Sequence, residues 1–476
     1  MESLPQKKRS LILAGGGVRL AYHAGVLKAL EEHCLNFNHI DGTSGGIFGT
    51  AMIASGISAS EAAKRWRNLK LTGFLSALPL KNYFGRRNLT AFGGANGIRK
   101  QIFPALGIDL KKINSQTAFA ATFNVCNFSN KTIEAVPQSA VNEDHLIAGM
   151  SLPIFMPAVK INNDWYTDAV WIKDANLSEA INRGAEEIWL IWCIGNNRHY
   201  LNGVLNQYVH MIEMSANGAL FSEIEDLKLL NDARLKENKK PIELHIVKPN
   251  YPLPLDPEFL INHINADTLI NMGYADSKQY LASPVPFDLN LPPSSSTGMS
   301  EPGTTVHFRQ QFFGEITLRN KQYQVAVYLS LFLREINHSL ISTLYSSISL
   351  DGENFISGYD NRLKMMGNGI IVPSFLFIFN SRQYKICLEI SLQSLSGFLF
   401  GLEGKKAKAN LIEDGVKSKP YQLYQPAVNR IKNAFNLYTD AETGWVEKRR
   451  AKLRILKTVF EEELSSNLEL HAKAKA

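Results

Sequence analysis

Two hydrophobic rhythms divide the chain near residue 300. In the first, Ser10 to Ala14 reads as a buried strand, Thr117 to Val125 and Lys131 to Val136 look like strands, and Ile188 to Ile194 and Leu244 to Val247 are apolar runs of strand length. Between them lie stretches of helical period: Val18 to about His33 with Leu20, Ala24, Leu27 and Leu30 on one side, Gly46 to Ala54, Ser60 to Lys70, Asn202 to about Lys239, and Ala266 to Ala282. Continuous apolar strands alternating with helices predict a three-layer α/β domain over residues 8–282, its mainly parallel sheet covered on both faces. Leu71 to Gly97 has little periodicity and reads either as a lid over a site or as a plain surface loop.

Residues 283–305 break the pattern with Pro284, Pro286, Pro292, Pro293, Pro302 and the run Ser294-Ser295-Ser296, which predicts an unpacked linker. Beyond it the period becomes two. Tyr323, Val325, Val327, Leu329, Leu331 and Leu333 alternate with their neighbours, as do Tyr384, Ile386, Leu388, Ile390 and Leu392, so a smaller β-rich, antiparallel domain is expected over 306–476. From about Gly444 the chain turns helical again, with Trp445, Leu453, Leu456, Phe460 and Leu464 on one stripe and Lys448, Arg449, Arg450, Lys452, Arg454 and Lys457 around it. A basic amphipathic helix of this kind either lies on an anionic membrane or packs on its own domain.

Composition narrows the choice of partner only a little. The 476 residues allow two or three domains, and 45% hydrophobic with 20% charged residues is the make-up of a folded protein. A net charge of +7 favours anionic partners, whether nucleic acid or a membrane surface. Cys34, Cys126, Cys193 and Cys387 are scattered without metal-ligand spacing, which suits buried free thiols in a reducing compartment. Lys7-Lys8-Arg9 precedes an apolar run of only Leu11 to Ala14, too short for a signal peptide, and no window has the length of a spanning helix. A cytoplasmic protein, peripheral at most to a membrane, is expected.

Chemistry enters at Gly42-Thr43-Ser44-Gly45-Gly46, which fits G-x-S-x-G between an apolar run and a small-residue helix. In such an elbow Gly42 and Gly46 tolerate crowding, and the serine oxygen stands at the positive end of a helix. Gly15-Gly16-Gly17 forms a second strand–turn–helix unit whose backbone N–H groups make an anion-binding nest. It is not a dinucleotide fingerprint, because Leu20 stands where the third glycine belongs, and no phosphate-loop sequence occurs. His23, His33, His39 and His145 lack the setting of a triad base.

Ala14-Gly15-Gly16-Gly17-Val18-Arg19, with Tyr22 and Gly25 behind it, resembles the glycine-rich oxyanion motif of the patatin-like phospholipases, and Gly42 to Gly46 resembles their elbow. Ala148 to Pro157 is similar to the segment before their catalytic aspartate, here Asp168 in Tyr166-Thr167-Asp168-Ala169-Val170. The resemblance implies a Ser44/Asp168 dyad without histidine, and an oxyanion hole at Gly15, Gly16 and Gly17 with Arg19 ordering the loop or adding positive potential. It also implies hydrolysis of acyl esters in phospholipids at a membrane surface, of phospholipase A or lysophospholipase type, with no metal or cofactor and no nucleic acid. Two positions depart from the family: Leu20 replaces a glycine, and Ala169 replaces the glycine after the aspartate, where a backbone of positive φ would strain alanine. Asp164, Asp174 and Asp41 are rival carboxylates. Two alternatives stay open, an inactive lipid-binding protein on the same fold and a delivered bacterial toxin needing a host activator. In the second half, Phe308-Arg309-Gln310-Gln311-Phe312-Phe313-Gly314 and Gly401-Leu402-Glu403-Gly404-Lys405 faintly resemble an accessory β-rich region of some bacterial sterol-oxidase-like proteins, and the partner of this region is left unknown.

Overall fold

The structure is a computed structural model that describes residues 7–69, 91, 93–194, 200, 202–251, 253, 265–298, 304–336, 339–352, 354–366, 369–391, 406–426, 437–439, 450, 453–455, 457 and 463–465. The chain divides into two compact units, residues 1–196 with 203–300, and residues 197–202 with 301–476.

In the first unit the five strand-length runs, the strand that ends at the elbow, and two segments that the sequence did not mark (Val159–Ile161 and Asp164–Asp168) form a single 8-stranded sheet. These are β1 (Arg9–Leu13), β2 (His39–Thr43), β3 (Ala120–Asn127), β4 (Thr132–Pro137), β5 (Val159–Ile161), β6 (Asp164–Asp168), β7 (Glu187–Ile191) and β8 (Glu243–Val247). The order is β5-β6-β3-β2-β1-β7-β8, with β4 also on β3. β3, β2, β1, β7 and β8 run parallel, whereas β4, β5 and β6 add antiparallel pairs.

The parallel strands are clothed on both faces, which is why β1, β7 and β8 are mostly apolar, whereas β2 and β3 also bury His39, Asp41, Thr43, Thr122 and Asn124. Successive side chains of β1 point opposite ways. Ile12 joins a core with Leu190, Leu244 and Ile246, capped by Ile212, Ala216, Leu220, Ile224 and Leu227 of the long helix Val204–Lys236. Leu11 and Ile40 face the other way, toward α1 (Ala21–Glu32), α2 (Gly46–Ala54) and α3 (Ala59–Asn68). Three layers result, as the pattern predicts. The first helix starts later than its periodicity suggests because a 3₁₀ turn, Gly17–Leu20, precedes it.

The proline-rich stretch is not the unpacked linker that its composition suggests. Phe287 donates its N–H to the Leu244 carbonyl (2.6 Å), Phe287 and Leu289 pack on the core, and Lys248 Nζ donates to the carbonyls of Ser295 (3.0 Å) and Ser296 (2.9 Å). Prolines lack only a donor, so they are tolerated along a sheet edge such as that of β8. Of the segment Leu71 to Gly97, read as lid or loop, residues 71–90 and 92 lie outside the described residues.

The second unit is a 12-stranded antiparallel sheet built on long strands such as Thr304–Leu318, Lys321–Ile336 and Ser339–Leu350. Its tight turns are two-residue hairpins with both φ positive, at Arg319-Asn320, Asn380-Ser381 and Asp414-Gly415, the geometry that matches strand twist. Phe312, Val327, Ile348, Phe375, Ile386 and Leu388 lie in one core. Gly358 alone separates strand Asn354–Ser357, at one end of the strand order, from Tyr359–Met366, next to the other end, so the sheet curls on itself.

The C-terminal helix is small and differs from its predicted stripe. Residues 450, 453–455 and 457 are helical, and it is Ile455, not Leu453, that enters the core, Leu453 being 44% exposed. Arg454 pairs with Glu335, and Leu464 belongs to a strand, Glu463–Ser465, opposite Met365. Strand pairing therefore overrides helical periodicity at Leu464. Trp445, Leu456, Phe460, Lys448, Arg449 and Lys452, like the Gly401 to Lys405 motif, lie outside the described residues.

Candidate active site

Strand register, parallel from β2 to β3 and antiparallel from β3 to β6, brings the two ends of the predicted dyad to one level. Thr43 at the end of β2 pairs with Asn124 of β3, and the next residue of β3, Val125, pairs along the same edge with Asp168 at the end of β6, because β4 fills the opposite edge of β3. Ser44 follows Thr43 with φ 52°, a left-handed backbone that serine seldom adopts, before α2 begins at Gly46. The turn is held by close packing: a Cβ on Gly46 would lie 1.9 Å from the Leu13 carbonyl oxygen, and one on Gly42 2.4 Å from Thr50 Oγ1. Ser44 is 7% exposed, and its Oγ donates to Asp168 Oδ2 at 2.7 Å.

Asp168 is fully buried and begins a 3₁₀ turn, Ala169–Trp171, its Oδ1 accepting the Val170 N–H at 2.9 Å. Burial pushes its carboxyl up to about 7 against the opposing pull of the bonds from Val170 and Ser44. Ser151 fixes the end of β6. Its carbonyl accepts the Asp168 N–H (3.1 Å) and the Thr167 hydroxyl, while its own Oγ donates to the Ile147 carbonyl (2.8 Å). Ala169 is not among the residues of positive φ, so alanine sits there without the strain that the altered motif raises.

The glycine turn abuts the serine. A Cβ on Gly15 would lie 2.8 Å from Ser44 Cβ and 2.3 Å from Asp174 Oδ1, so neither could stay in place beside a side chain. Gly15, expected among the oxyanion donors, gives its N–H to Asp174, 3.0 Å from each oxygen. Among the described residues no acceptor takes the N–H of Gly16. Arg19 is buried and ties the loop together: its N–H and Nε both donate to the Gly16 carbonyl (3.1 Å each), and Nη1 donates to the Leu253 carbonyl (2.6 Å). Leu20, the departure from glycine, covers Gly45, where a Cβ would meet its Cδ2 at 2.4 Å. Asp174 is held well above the usual carboxylate range by burial and by the charge of Asp168, with Arg19 opposing.

The rival carboxylates have other work. Asp174 anchors Gly15, Asp164 accepts from Asn127 (3.2 Å), and Asp41 accepts from Thr122 and from Asn124 (2.6 Å). Around Asp41 a buried polar network supports the elbow: Asn124 Nδ2 also reaches Thr43 Oγ1 (2.9 Å), Asn176 donates to Asn124 Oδ1 (2.9 Å), and His39 bridges Thr122 and Ser10. Burial pushes Asp41 up to about 7 and His39 down to about 3. Sequence reasoning named Asp41 and His39 but missed Thr122, Asn124 and Asn176; the available signal was Thr122 and Asn124 at alternate places in an apolar strand, polar groups that a covered sheet must satisfy. His23 and His39 are buried and neutral, and His145 caps its helix with Asn142. Among the described residues one group of metal-ligating type, Glu187, Glu243 and His245, converges at the opposite ends of the parallel strands, where Lys7 and Arg9 already pair with its carboxylates.

Residues 11–181 match the model of the family described as patatin-like phospholipase, so the resemblance read from the sequence holds over a span containing Ser44 and Asp168. No curated protein matches the chain. Among solved structures, VipD from Legionella pneumophila is similar at 14% identity, covering 60% of this chain and 69% of its own, with TM-score 0.32. The type III effector protein ExoU is similar at 12% identity, covering 58% of this chain and 54% of its own, with TM-score 0.23. At such low TM-scores the functional reading rests on the site itself.

Proposed function

We propose that the chain is a serine acyl hydrolase that cleaves acyl esters of membrane phospholipids through Ser44 and Asp168. The observation that carries this reading is the 2.7 Å hydrogen bond from Ser44 Oγ to a fully buried Asp168 whose other oxygen is already held by Val170. A carboxylate of ordinary pKa is a weak base toward a hydroxyl. Raised to about 7 by burial, Asp168 is a better base and, once protonated, still a usable acid near neutrality.

In the reaction Ser44 Oγ attacks the ester carbonyl as its proton passes to Asp168 Oδ2. The tetrahedral oxyanion is taken by the N–H of Gly45, directly after the nucleophile, and by those of Gly16 and Gly17, donors worth about 10² to 10³ in rate each. Asp168 then gives its proton to the departing alcohol. Water enters and attacks the acyl carbon as it loses a proton to Asp168, and Asp168 returns that proton to Ser44 Oγ as the bond to serine breaks and the fatty acid leaves. Gly15 and Arg19 act by position, holding the loop against Asp174 and Leu253. The rival reading of an inactive lipid-binding protein draws its motive from Ala169, and its right-handed backbone removes that motive. No helix among the described residues is long and apolar enough to cross a membrane, so the reading places the lipid at a surface.

The test is fatty-acid release from phosphatidylglycerol and phosphatidylcholine vesicles, with fluorophosphonate labelling followed in parallel. Wild type is expected to release fatty acid and to be labelled at Ser44, and Ser44→Ala to do neither. Undiminished release by Ser44→Ala sinks the proposal.

A further inference from the structure

At the ends of the parallel strands away from Ser44, register sets Glu187 of β7 directly opposite Glu243 of β8, and Trp189 opposite His245 two residues on. Strand side chains alternate, so Glu187, Glu243 and His245 share one face of the sheet. Two like charges facing each other across neighbouring strands are unfavourable without a cation beside them. Arg9 Nε supplies one to Glu187 Oε2 (3.1 Å) and Lys7 Nζ another to Glu243 Oε2 (2.8 Å). The side toward His245 is different.

Tyr280 gives its hydroxyl proton to the Val285 carbonyl (2.8 Å), so its oxygen takes the proton of His245 Nδ1 (2.9 Å). In the neutral ring Nε2 is then a bare lone pair. His245 is 5% exposed, and its Nε2 is buried without a hydrogen-bond partner. What that nitrogen faces is two more acceptors, Glu187 Oε1 at 3.5 Å and Glu243 Oε2 at 3.8 Å. A protonated Nε2 would draw a carboxylate in to about 2.7–2.9 Å. Ligands of a tetrahedral zinc ion, at about 2.1 Å from the metal, stand about 3.4 Å apart, which is close to the spacing found. The outer partners also suit ligands: Trp189 Nε1 donates to Glu187 Oε1 (2.7 Å), and the Trp189 ring stacks on His245 at 4.3 Å, fixing its plane.

We propose that Glu187 Oε1, Glu243 Oε2 and His245 Nε2, which all lie within 4.8 Å of one another, bind a divalent cation of the zinc class, with water as the fourth ligand. One imidazole among carboxylates selects zinc over magnesium or calcium, which take oxygen ligands. The ion enters past Glu243, whose side chain is 39% exposed, and Lys7, 48% exposed, swings to solvent as the ion takes over its neutralising role. Lys7 is thus a tethered competitor. The ion would clamp β7 to β8, the last strand in the sheet order, a structural role separate from the chemistry at Ser44.

The experiment is calorimetric titration of the full chain, stripped with EDTA and held at pH 7.5, with ZnCl₂ and with MgCl₂. Zinc is expected to bind one to one and magnesium to show no saturable binding. Glu243→Gln and His245→Phe, which keeps the ring stack on Trp189, should each weaken zinc binding about tenfold or more. Lys7→Met should tighten it about tenfold or more, because a like charge a few ångströms from the ion is gone. In parallel, Co²⁺ is expected to give the visible absorption of a tetrahedral site without a thiolate charge-transfer band, which separates this site from Cys34, exposed beside His33. Absence of one-to-one zinc binding, or weaker binding by Lys7→Met, would overturn the proposal. So would zinc affinity unchanged in both Glu243→Gln and His245→Phe, the result of an adventitious ion only. Glu243 is partly exposed, so its variant and Lys7→Met decide the matter even where His245→Phe does not fold.

Discussion

Asp168→Asn separates catalysis from stability with a change of one atom. Asparagine keeps Oδ1 on the Val170 N–H, so the 3₁₀ turn after residue 168 has no reason to move. At the other position an NH₂ replaces the oxygen that stands 2.7 Å from Ser44 Oγ, and a donor cannot receive the serine proton. Losing a general base costs about 10² to 10⁴ in rate, so a fall of about 10³ in kcat is expected. Stability moves the other way. The carboxyl of Asp168 is raised from 3.8 to about 7 in the folded chain, so its stabilising contribution is complete below about pH 4 and is lost as pH rises through 7. Ionising it at pH 8 costs the fold on the order of 4 kcal/mol relative to pH 4, and the amide avoids that cost. The variant should therefore melt a few degrees above wild type at pH 8 and level with it at pH 4. Fatty-acid release from vesicles, with thermal unfolding at both pH values, reads the two effects together. A variant whose kcat stays within tenfold of wild type, or which melts lower at pH 8, refutes the assignment of Asp168 as a buried base.

Wild-type kcat should rise with pH through about 7, because in the proposed reaction only ionised Asp168 takes the proton; a flat profile from pH 5 to 9 counts against it. Gly15→Ala must displace Asp174 or Ser44, and a shift of about 1 Å should slow fluorophosphonate labelling of Ser44 on the order of 10²-fold, with normal labelling speaking against the packing described. Ala169→Gly, which restores the family's usual residue, should bring no gain in turnover and destabilise by about 0.5–1 kcal/mol in urea unfolding, because the right-handed turn at 169 has no need of glycine. Asp41 is raised to about 7 by burial, so wild type should lose stability between pH 5 and pH 8, and Asp41→Asn should lose less; parallel urea midpoints for the two proteins would remove Asp41 from that account.

What the sequence determined by itself was whatever depends on neighbours in the chain. Apolar runs marked strands covered on both faces, alternation marked the antiparallel half, and glycine on either side of Ser44 marked a turn too tight for other residues. Helix Gly46–Ala54 and helix Ala266–Ala282 were legible to the residue because small or polar boundary residues announce their ends. Where local signals compete with pairing partners, the reading failed. Leu464 fits a helical stripe yet pairs with Met365 in a sheet, and prolines that bar a regular core element still let Phe287 lie along β8.

Tertiary structure alone decided which groups meet. Register across β2, β3 and β6 sets Asp168 level with Ser44 although 124 positions separate them, and no periodicity encodes that distance. It also gave the carboxylates their separate tasks: Asp174 takes the Gly15 amide, Asp41 the polar network, and Asp168 the serine. The raised pKa of Asp168 belongs to the same level, because desolvation depends on what the whole fold packs around a group, and the residue types beside it in the chain do not fix that.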